Sequence, residues 1–289
     1  MDKLARLPAG DRQDIFTEAA ARRGIRPTII EKDFWVCVVL KLLFEKSRFA
    51  QSLVFKGGTS LSKVYGLIER FSEDIDLVLD WNLIGFGAGG QDPLQEFDSK
   101  AKQDRFNKEI NTRAAAYIAE TLCPELNDLL QREQMALSAA VDPDDPHAIG
   151  IRYPAAFPEA YIRPEVRLEI GPLASWVPSA IHTIRPYVFD VLPEVFQTPQ
   201  CKVRAIAAER TFWEKALSFI RKHIGKHNPR RDTRGITTTS ANSRAAPSAP
   251  LRLPLQNSCR TWSRSSSVIT HRHGHAMTSP SPARLGCCR

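Results

Sequence analysis

Two carboxylates placed two residues apart are the first chemically suggestive feature of the sequence. Asp74 and Asp76 alternate with the apolar residues Ile75 and Leu77, a pattern typical of a half-buried β-strand. Because residues two apart in a strand point to the same face, the two carboxylates would lie side by side. Adjacent negative charges repel each other unless a cation lies between them, and Mg²⁺ accepts paired carboxylate oxygens. The spacing therefore predicts a divalent-metal site.

A glycine pair precedes these carboxylates at the end of another predicted strand. Residues 52–55 are a short apolar run of the kind that forms buried strands, and the glycine pair follows it closely. Glycine lets the backbone come close to a ligand. Thr59 and Ser60 are N-cap candidates for a helix whose free N–H groups would suit a phosphate. The segment predicted to bind that phosphate comprises Lys56, Gly57, Gly58, Thr59 and Ser60.

Metal-ligating carboxylates beside a phosphate-binding turn predict metal-assisted phosphoryl or nucleotidyl transfer. Each feature also has an ordinary structural explanation. A glycine pair is often only a turn, and an Asp-x-Asp pair is often a solvated strand edge. The order of the features, strand then turn then helix then strand, favours the functional interpretation.

These segments also resemble a known family. Lys-Gly-Gly-Thr-Ser-Leu-Ser-Lys at 56–63 and Arg-Phe-Ser-Glu-Asp-Ile-Asp-Leu at 70–77 resemble the AbiEii/AbiGii nucleotidyltransferase toxin family, a branch of the polymerase-β-like nucleotidyltransferases. The resemblance implies an α/β (α+β) fold with a small mixed sheet, flanking helices and a truncated helical C-terminal part. It also implies NTP as the substrate, Mg²⁺ held by Asp74 and Asp76, and Arg70 as a further nucleotide-binding residue.

A third carboxylate is expected from a neighbouring strand. Residues 161–170 alternate polar and apolar in their second half, as a half-buried strand does. By the resemblance, Glu169 is the candidate that would complete the metal site or accept a proton from the acceptor hydroxyl. The open alternative is a salt-bridged surface glutamate. Arg163 and Arg167 in the same stretch would either meet phosphates or pair with acids.

A C-terminal helix is predicted over residues 203–223. Its segment Glu-Arg-Thr-Phe-Trp-Glu-Lys at 209–215 resembles the RTFWEK motif of the family. The resemblance implies that Lys215 reaches the triphosphate and stabilises the leaving pyrophosphate, with Arg210 and Glu214 beside it in the pocket. The residues expected to face inward are Ile206, Phe212, Trp213, Leu217 and Ile220.

Two helices are predicted before the glycine turn. They cover residues 11–23 and 28–45, and the first turn of the second fits the capping-box pattern. The run Glu-Lys-Asp-Phe-Trp-Val in the second helix resembles the N-terminal helix of the family. That resemblance would place Glu31, Lys32 and Asp33 near the site, whereas the plain alternative is a solvated helix face.

The rest of the chain up to residue 200 carries no chemical motif. A loop at residues 85–90 is long enough to act as a hinge or a lid over the site. The other predicted elements are helices over residues 97–122 and 124–139, an irregular proline-rich stretch over 142–158 and a strand over 183–191.

Composition narrows the class of protein. The 289 residues are enough for a sizeable core, and no apolar run is long enough to cross a membrane. Because the chain also begins without a signal peptide, we expect a cytoplasmic protein with no membrane partner. The six cysteines lack C-x-x-C spacing, so neither a zinc site nor a disulfide framework is indicated.

The positive charge is confined to the end of the chain. Of the net charge of +8, residues 229–289 contribute +9 through ten arginines and one acid, and residues 1–228 sum to −1. The tail is rich in Ser, Thr, Arg and Pro without apolar periodicity, so we expect disorder there. An RNA-binding role for the tail has little support, because Trp262 is its only aromatic residue for stacking on bases.

The family resemblance stops within this tail. Family members continue with a motif like Arg-His-Tyr-Tyr-Asp-Leu where this chain has Arg-Gly-Ile-Thr-Thr-Thr-Ser at 234–240. Codons for the observed residues can encode that motif in another reading frame. We therefore hypothesise that residues 229–289 arose by a frameshift, and coding DNA unable to encode the motif in a shifted frame would refute this.

Together these features predict one nucleotidyltransferase domain over residues 1–228. It would comprise N-terminal helices at 10–48, a catalytic core at about 50–200 and a C-terminal helix at about 203–225. By resemblance it would be the toxin of a toxin–antitoxin, abortive-infection-like system with a separate antitoxin, moving an NMP from an NTP to tRNA. The alternatives are an inactive NTP-binding remnant, or transfer to a small molecule or a protein.

Overall fold

A seven-stranded mixed sheet with flanking helices forms the fold, and it confirms the expected α/β class. A computed structural model describes residues 1–69, 71–87, 97–157, 163–174 and 176–224, which belong to one compact unit, Met1–Pro229. The strands are β1 (Leu53–Lys56), β2 (Asp74–Leu79), β3 (Ser138–Asp142), β4 (Asp145–Arg152), β5 (Glu165–Gly171), β6 (Ser179–Ile184) and β7 (Cys201–Ile206). The helices are α1 (Asp2–Ala5), α2 (Ala9–Arg23), α3 (Pro27–Lys41), α4 (Gly57–Lys63), α5 (Lys100–Tyr117), α6 (Cys123–Arg132), α7 (Tyr187–Val191) and α8 (Ala208–Ile224). The predicted disordered tail lies outside the described residues.

The strand order places β2 at the centre of the sheet. The order is β3-β4-β5-β2-β1-β7-β6. Strand β2 runs antiparallel to β1 and parallel to β5, so it has a hydrogen-bonded neighbour on each side. Side chains on β2 can therefore meet side chains from both β1 and β5.

The two faces of the sheet are covered differently. One face packs into the main core with α2 and α3, to which the central strands contribute Leu53, Phe55, Ile75, Leu77 and Leu79. The other face carries a small cluster of Val54, Val78 and Ile206. Because strand residues alternate between faces, Asp74 and Asp76 lie on the face of Val78. The predicted carboxylates therefore lie on the more thinly covered face.

Helix α3 is buried on nearly all sides. Phe34 is fully buried, and its ring lies 5.5 Å from the ring of Phe16 and 5.3 Å from that of Trp35, measured between centroids. The solvated helix face considered for this segment is wrong, because the charged residues are buried as well. These buried charged residues are Glu31, Lys32 and Asp33.

Two predicted helix caps are absent. Helix α3 begins at Pro27, so Thr28 of the predicted capping box lies inside the helix and no side chain caps its start. Helix α4 begins at Gly57, so the prediction of Thr59 and Ser60 as N-caps is wrong and both lie inside the helix. The positive φ of 81° at Gly57 lets the chain turn directly from β1 into α4.

The C-terminal helix begins later than predicted and exposes its apolar side. Residues 201–206 form β7 instead, pairing with β6 and β1, so Ile206 is a buried strand residue. The expected inward orientation on α8 is also wrong, because the described residues leave that side of the helix uncovered. The exposed fractions are 56% for Phe212, 61% for Trp213, 59% for Leu217 and 47% for Ile220.

Other predicted elements were right in outline but wrong at their boundaries. The helices predicted over residues 11–23 and 97–122 are confirmed by α2, and by α5 with the π-helical turn that follows it. The helix predicted over 124–139 ends at Arg132, and the irregular stretch predicted over 142–158 contains β4. The strand predicted over 183–191 ends at Ile184, because Pro186 has no N–H for strand pairing and directly precedes α7. Residues 88–90 of the predicted lid lie outside the described residues.

We predict that two Phe→Ala substitutions will differ sharply in stability. Phe34→Ala should lower the free energy of unfolding by about 3–5 kcal/mol, because it removes a fully buried ring from the core. Phe212→Ala, the matched control on α8, should change it by less than about 0.5 kcal/mol, because that ring is largely solvated. Chemical denaturation of both variants measures this. A large loss for Phe212→Ala would show that α8 is covered.

Candidate functional site

Asp76 lies between a lysine and a glutamate from the two neighbouring strands. The sheet register pairs Asp76 with Lys56 of β1 on one side and with Glu169 of β5 on the other. Directly paired residues share a face of the sheet. Asp74, two residues earlier on that face, pairs with Arg167. The structure therefore brings the three predicted carboxylates onto one face of two adjacent strands.

These carboxylates line a cleft of about 410 Å³. The lining residues are Gly58, Phe71, Ser72, Glu73, Asp74, Asp76, Glu169 and Lys215. Lys215 joins the cleft from α8, far along the chain from the other predicted residues. The three residues before Asp74 were not predicted as lining residues, although they belong to the segment at 70–77 that resembles the family. Arg70 lies outside the described residues.

Gly57 allows the turn and the carboxylate of Asp76 to come into close contact. A Cβ atom at Gly57 would lie 1.7 Å from Oδ2 of Asp76, closer than any two non-bonded atoms can approach. A Cβ at Gly58 would meet Oγ of Ser72 at 3.0 Å and Nζ of Lys215 at 3.5 Å. The glycine pair therefore leaves room beside Asp76 and Lys215 that any other residue would fill.

The hydroxyls of Thr59 and Ser60 hold the turn in place. Thr59 donates a hydrogen bond to the carbonyl oxygen of Asp74, and Ser60 donates to that of Gly57 at 3.0 Å. Both side chains are buried. The Thr59 hydroxyl thus fastens α4 to the start of β2, and the Ser60 hydroxyl bonds within α4. A nucleotide contact from these residues would use backbone N–H groups.

Glu214 holds two of the predicted nucleotide-binding cations. Its carboxylate lies 3.0 Å from Nε of Arg210 and 3.6 Å from Nζ of Lys56. Arg210 also donates to the carbonyl oxygen of Val177 at 2.9 Å. Of the predicted cations that the structure describes, Lys56, Arg210 and Lys215, only Lys215 lines the cleft.

Arg167 pairs with acidic side chains, which was one of the two roles considered for it, the other being contact with phosphates. Its guanidinium contacts Asp142 and lies 3.1 Å from Asp145 and 3.4 Å from Glu169. Glu169 lines the cleft at the same time, with its side chain 47% exposed. The sequence left Glu169 either as a residue of the site or as a salt-bridged surface glutamate, and in the structure it both lines the cleft and forms a salt bridge.

Burial and charge repulsion raise the pKa values of both β2 carboxyls. The pKa of Asp76 is raised to about 6, first by burial and then by the charge of Glu169, while Lys215 and Lys56 lower it and Asp74 adds a smaller rise. The pKa of Asp74 is raised by burial first and then by Glu169 and Glu73. Four acids and one lysine line the cleft, so it carries negative charge that its own cation does not neutralise.

The carboxylates fit a divalent cation that takes part of its ligands from the protein and part from the substrate. Among the described residues, no three acidic, histidine or cysteine side chains are close enough to hold a metal ion by themselves. Mg²⁺ usually takes one or two carboxylates and completes its shell with phosphate oxygens and waters. Asp74 and Asp76 provide such a pair, in a cleft with unbalanced negative charge.

Glu31 and Asp33, the buried acids of α3, contact three other parts of the fold. Glu31 accepts a hydrogen bond from the backbone N–H of Ala156 at 2.7 Å. Asp33 lies 2.6 Å from Nζ of Lys63, the last residue of α4, and accepts from the backbone N–H of Tyr187 at 2.7 Å. Helix α3 is therefore tied to α4, to α7 and to the segment after β4.

The expectations about membrane-spanning segments and cysteines can be compared with the described residues. In the ranges that the structure covers, no helix is long and apolar enough to cross a membrane. Cys37, Cys123 and Cys201 are free and buried thiols. The other three cysteines lie outside the described residues.

Comparison with known proteins gives a family and a distant structural likeness. The model of a family described as nucleotidyl transferase AbiEii toxin, type IV TA system, matches residues 41–235. Six solved chains match significantly, among them the nucleotidyltransferase toxin MenT4 from Mycobacterium tuberculosis, at 16% identity and a TM-score of 0.45. The match covers 72% of this chain and 59% of MenT4, so this chain spans only part of that protein's length. No curated protein matches significantly.

We predict that Gly57→Ala will weaken Mn²⁺ binding by at least about tenfold, a loss of roughly 1.4 kcal/mol. The added Cβ would displace the Asp76 carboxylate, and the positive φ would strain the alanine. Titration of the purified protein with Mn²⁺, followed by electron paramagnetic resonance, measures the affinity. Gly10→Ala is the matched control, because a Cβ there meets no atom within 4 Å. Unchanged Mn²⁺ affinity in Gly57→Ala would show that Asp76 is not a ligand of the cation.

We predict that Asp76→Asn stabilises the protein at pH 7.5 in the absence of divalent cations. The raised pKa of Asp76 means that the folded state binds its proton more tightly than the unfolded state, so the ionised carboxylate opposes folding above about pH 6. Asparagine removes this cost, which is on the order of 1–3 kcal/mol.

The difference should shrink as the pH falls from about 6 to 4 and vanish below, where Asp76 is neutral in both states. Denaturation with guanidinium in EDTA across this pH range measures it. A less stable Asp76→Asn variant at pH 7.5 would contradict the electrostatic account of the cleft.

Proposed function

The chain belongs to the AbiEii nucleotidyl transferase toxin family of type IV toxin–antitoxin systems, and we propose that it transfers a nucleoside monophosphate from an NTP to an acceptor. The matched range contains three of the four segments on which the family resemblance was based, those at 56–63, 70–77 and 209–215, so the resemblance to the family is confirmed. Family membership implies an NTP substrate and an antitoxin partner. The observation that carries the proposal is the cleft in which Asp74 and Asp76 face Gly58 and Lys215.

The carboxylates and the glycine turn would together hold the metal and the triphosphate. Asp74 and Asp76 would hold Mg²⁺, which supplies Lewis-acid activation of the α-phosphate and helps to orient the attacking oxygen. The backbone at Gly57 and Gly58 would lie against the triphosphate, in the room that the missing Cβ atoms leave. Lys56 and Arg210 would support this arrangement through Glu214.

The remaining cleft residues would assist the bond changes. A hydroxyl of the acceptor attacks the α-phosphorus in line, and the bond between that phosphorus and the pyrophosphate oxygen breaks. Lys215 neutralises the negative charge that builds on the leaving pyrophosphate. Glu169, at the exposed side of the cleft, accepts the proton of the attacking hydroxyl.

The proposed acceptor is tRNA. The family resemblance implies transfer to tRNA, and a terminal ribose offers the free hydroxyl that the chemistry requires. The protein would then act in the cytoplasm, where its antitoxin partner, NTP and tRNA are present. Small molecules and protein side chains are the competing acceptors.

One observation favours a second candidate, an inactive NTP-binding remnant. Helix α8 carries Lys215, yet Phe212, Trp213 and Leu217 on the same helix are more than half exposed. A helix without packing on its apolar side holds its residues less rigidly, and misplacement by about 1 Å can reduce a rate by about a hundredfold. Such a protein would bind NTP without transferring the nucleotide.

We predict transfer of label from one α-³²P-labelled NTP to total tRNA in the presence of Mg²⁺. Asp74→Ala, Asp76→Ala and Lys215→Met should each reduce the rate by about a hundredfold or more, because they remove metal ligands or the charge beside the leaving group. Asp98→Ala and Lys102→Met are matched controls at an exposed ion pair and should leave the rate unchanged.

The location of the label separates the candidates. Label that ribonuclease releases identifies RNA as the acceptor, whereas label that only protease releases identifies a protein. Binding of NTP by the folded protein with no transfer to RNA, protein or small molecules would favour the inactive remnant. Equal rates in the control and cleft variants would contradict the proposed site.

A further inference from the structure

A buried lysine from the core reaches an acid of the cleft. Nζ of Lys32 lies 2.5 Å from a carboxylate oxygen of Glu73 and 3.4 Å from the carbonyl oxygen of Arg163. The side chain of Lys32 is 4% exposed, whereas that of Glu73 is 51% exposed. The contact therefore joins the interior of the protein to the open part of the cleft.

Glu73 is adjacent to the proposed metal ligands but has no role in the proposed reaction. It directly precedes Asp74 and lines the same cleft as Asp74, Asp76 and Glu169. The charges of Lys32 and Glu73 act on Asp74 in opposite directions, Lys32 lowering its pKa and Glu73 raising it. The pair is therefore close enough to influence the electrostatics of the metal site.

Lys32 differs in this respect from its two charged neighbours on α3. Glu31 and Asp33 contact Ala156, Lys63 and the start of α7, none of which lines the cleft. Their contacts fasten secondary-structure elements together. Lys32 alone of the three contacts a residue that lines the cleft.

We propose that Lys32 is a positioning residue that keeps Glu73 from binding the catalytic cation. This inference rests on the proposed cation site of Asp74 and Asp76. A released Glu73 would offer a further carboxylate in the cleft and would leave its negative charge unpaired. Held by Lys32, Glu73 leaves coordination positions open for the phosphate oxygens of the NTP. Lys32 thus adjusts the cation site without touching substrate.

Mn²⁺ titration of the full chain at constant pH, without nucleotide, tests this role. Lys32→Met removes the charge while keeping an unbranched side chain, and the Glu73 carboxylate that it releases is half exposed, so solvent can accommodate it. Lys32→Met combined with Glu73→Gln removes both charges, and Lys32→Arg keeps the positive one. Thermal unfolding of each variant verifies that it is folded.

Lys32→Met should bind Mn²⁺ about three- to tenfold more tightly than the natural protein, because a nearby positive charge is lost and a carboxylate is gained. Its kcat/KM for nucleotide transfer should fall, because the tighter site accepts phosphate oxygens less readily. The double variant should return to within about twofold of the natural Mn²⁺ affinity, and Lys32→Arg should retain it. A merely structural lysine would weaken both cation binding and transfer when replaced.

Two results would overturn the proposal for Lys32 alone. They are equal or weaker Mn²⁺ binding by folded Lys32→Met, and equal tightening in the single and double variants. If instead the natural protein binds no Mn²⁺, or Asp76→Asn leaves its affinity unchanged, the proposed cation site itself fails, and the role of Lys32 fails with it.

Discussion

Repulsion between carboxylates on neighbouring strands is the constraint on which the site depends. The register of the sheet places Asp76 directly beside Glu169, and Asp74 lies on the same face. Such a cluster is unfavourable in a partly buried cleft, as the raised pKa of Asp76 shows. Several features reduce this cost without abolishing it. They are the exposed position of Glu169, the charge of Lys215 opposite Gly58, and the pairing of Glu73 with Lys32.

The rest of the fold keeps this unfavourable cluster in place. Helix α3 is buried on nearly all sides, so it can contact several elements at once. Its consecutive residues Glu31, Lys32 and Asp33 bind partners on three different parts of the chain. Breaking a buried ion pair such as Asp33 with Lys63 typically costs about 3–5 kcal/mol, because one charge is left unpaired. These contacts fix α4 and β2 relative to each other, and thereby fix the glycine turn against Asp76.

The sequence predicted the parts of the site that local pattern determines. Alternation around Asp74 and Asp76 identified β2, and the glycine pair identified the turn, because each depends on a few consecutive residues. Family resemblance was needed to place Glu169 and Lys215 in the same cleft, since register between distant strands leaves no local signal. The orientation of α8 could not be predicted, because apolar periodicity marks a face that favours a partner without showing whether one is present.

The most direct test of this account is a crystal structure with Mn²⁺ and a non-hydrolysable NTP analogue. Anomalous diffraction from manganese would locate the cation independently of the nucleotide. The account predicts a manganese peak bound by Asp74 and Asp76, with the triphosphate against Gly57 and Gly58. A peak elsewhere, or a triphosphate bound away from the glycine turn, would contradict it.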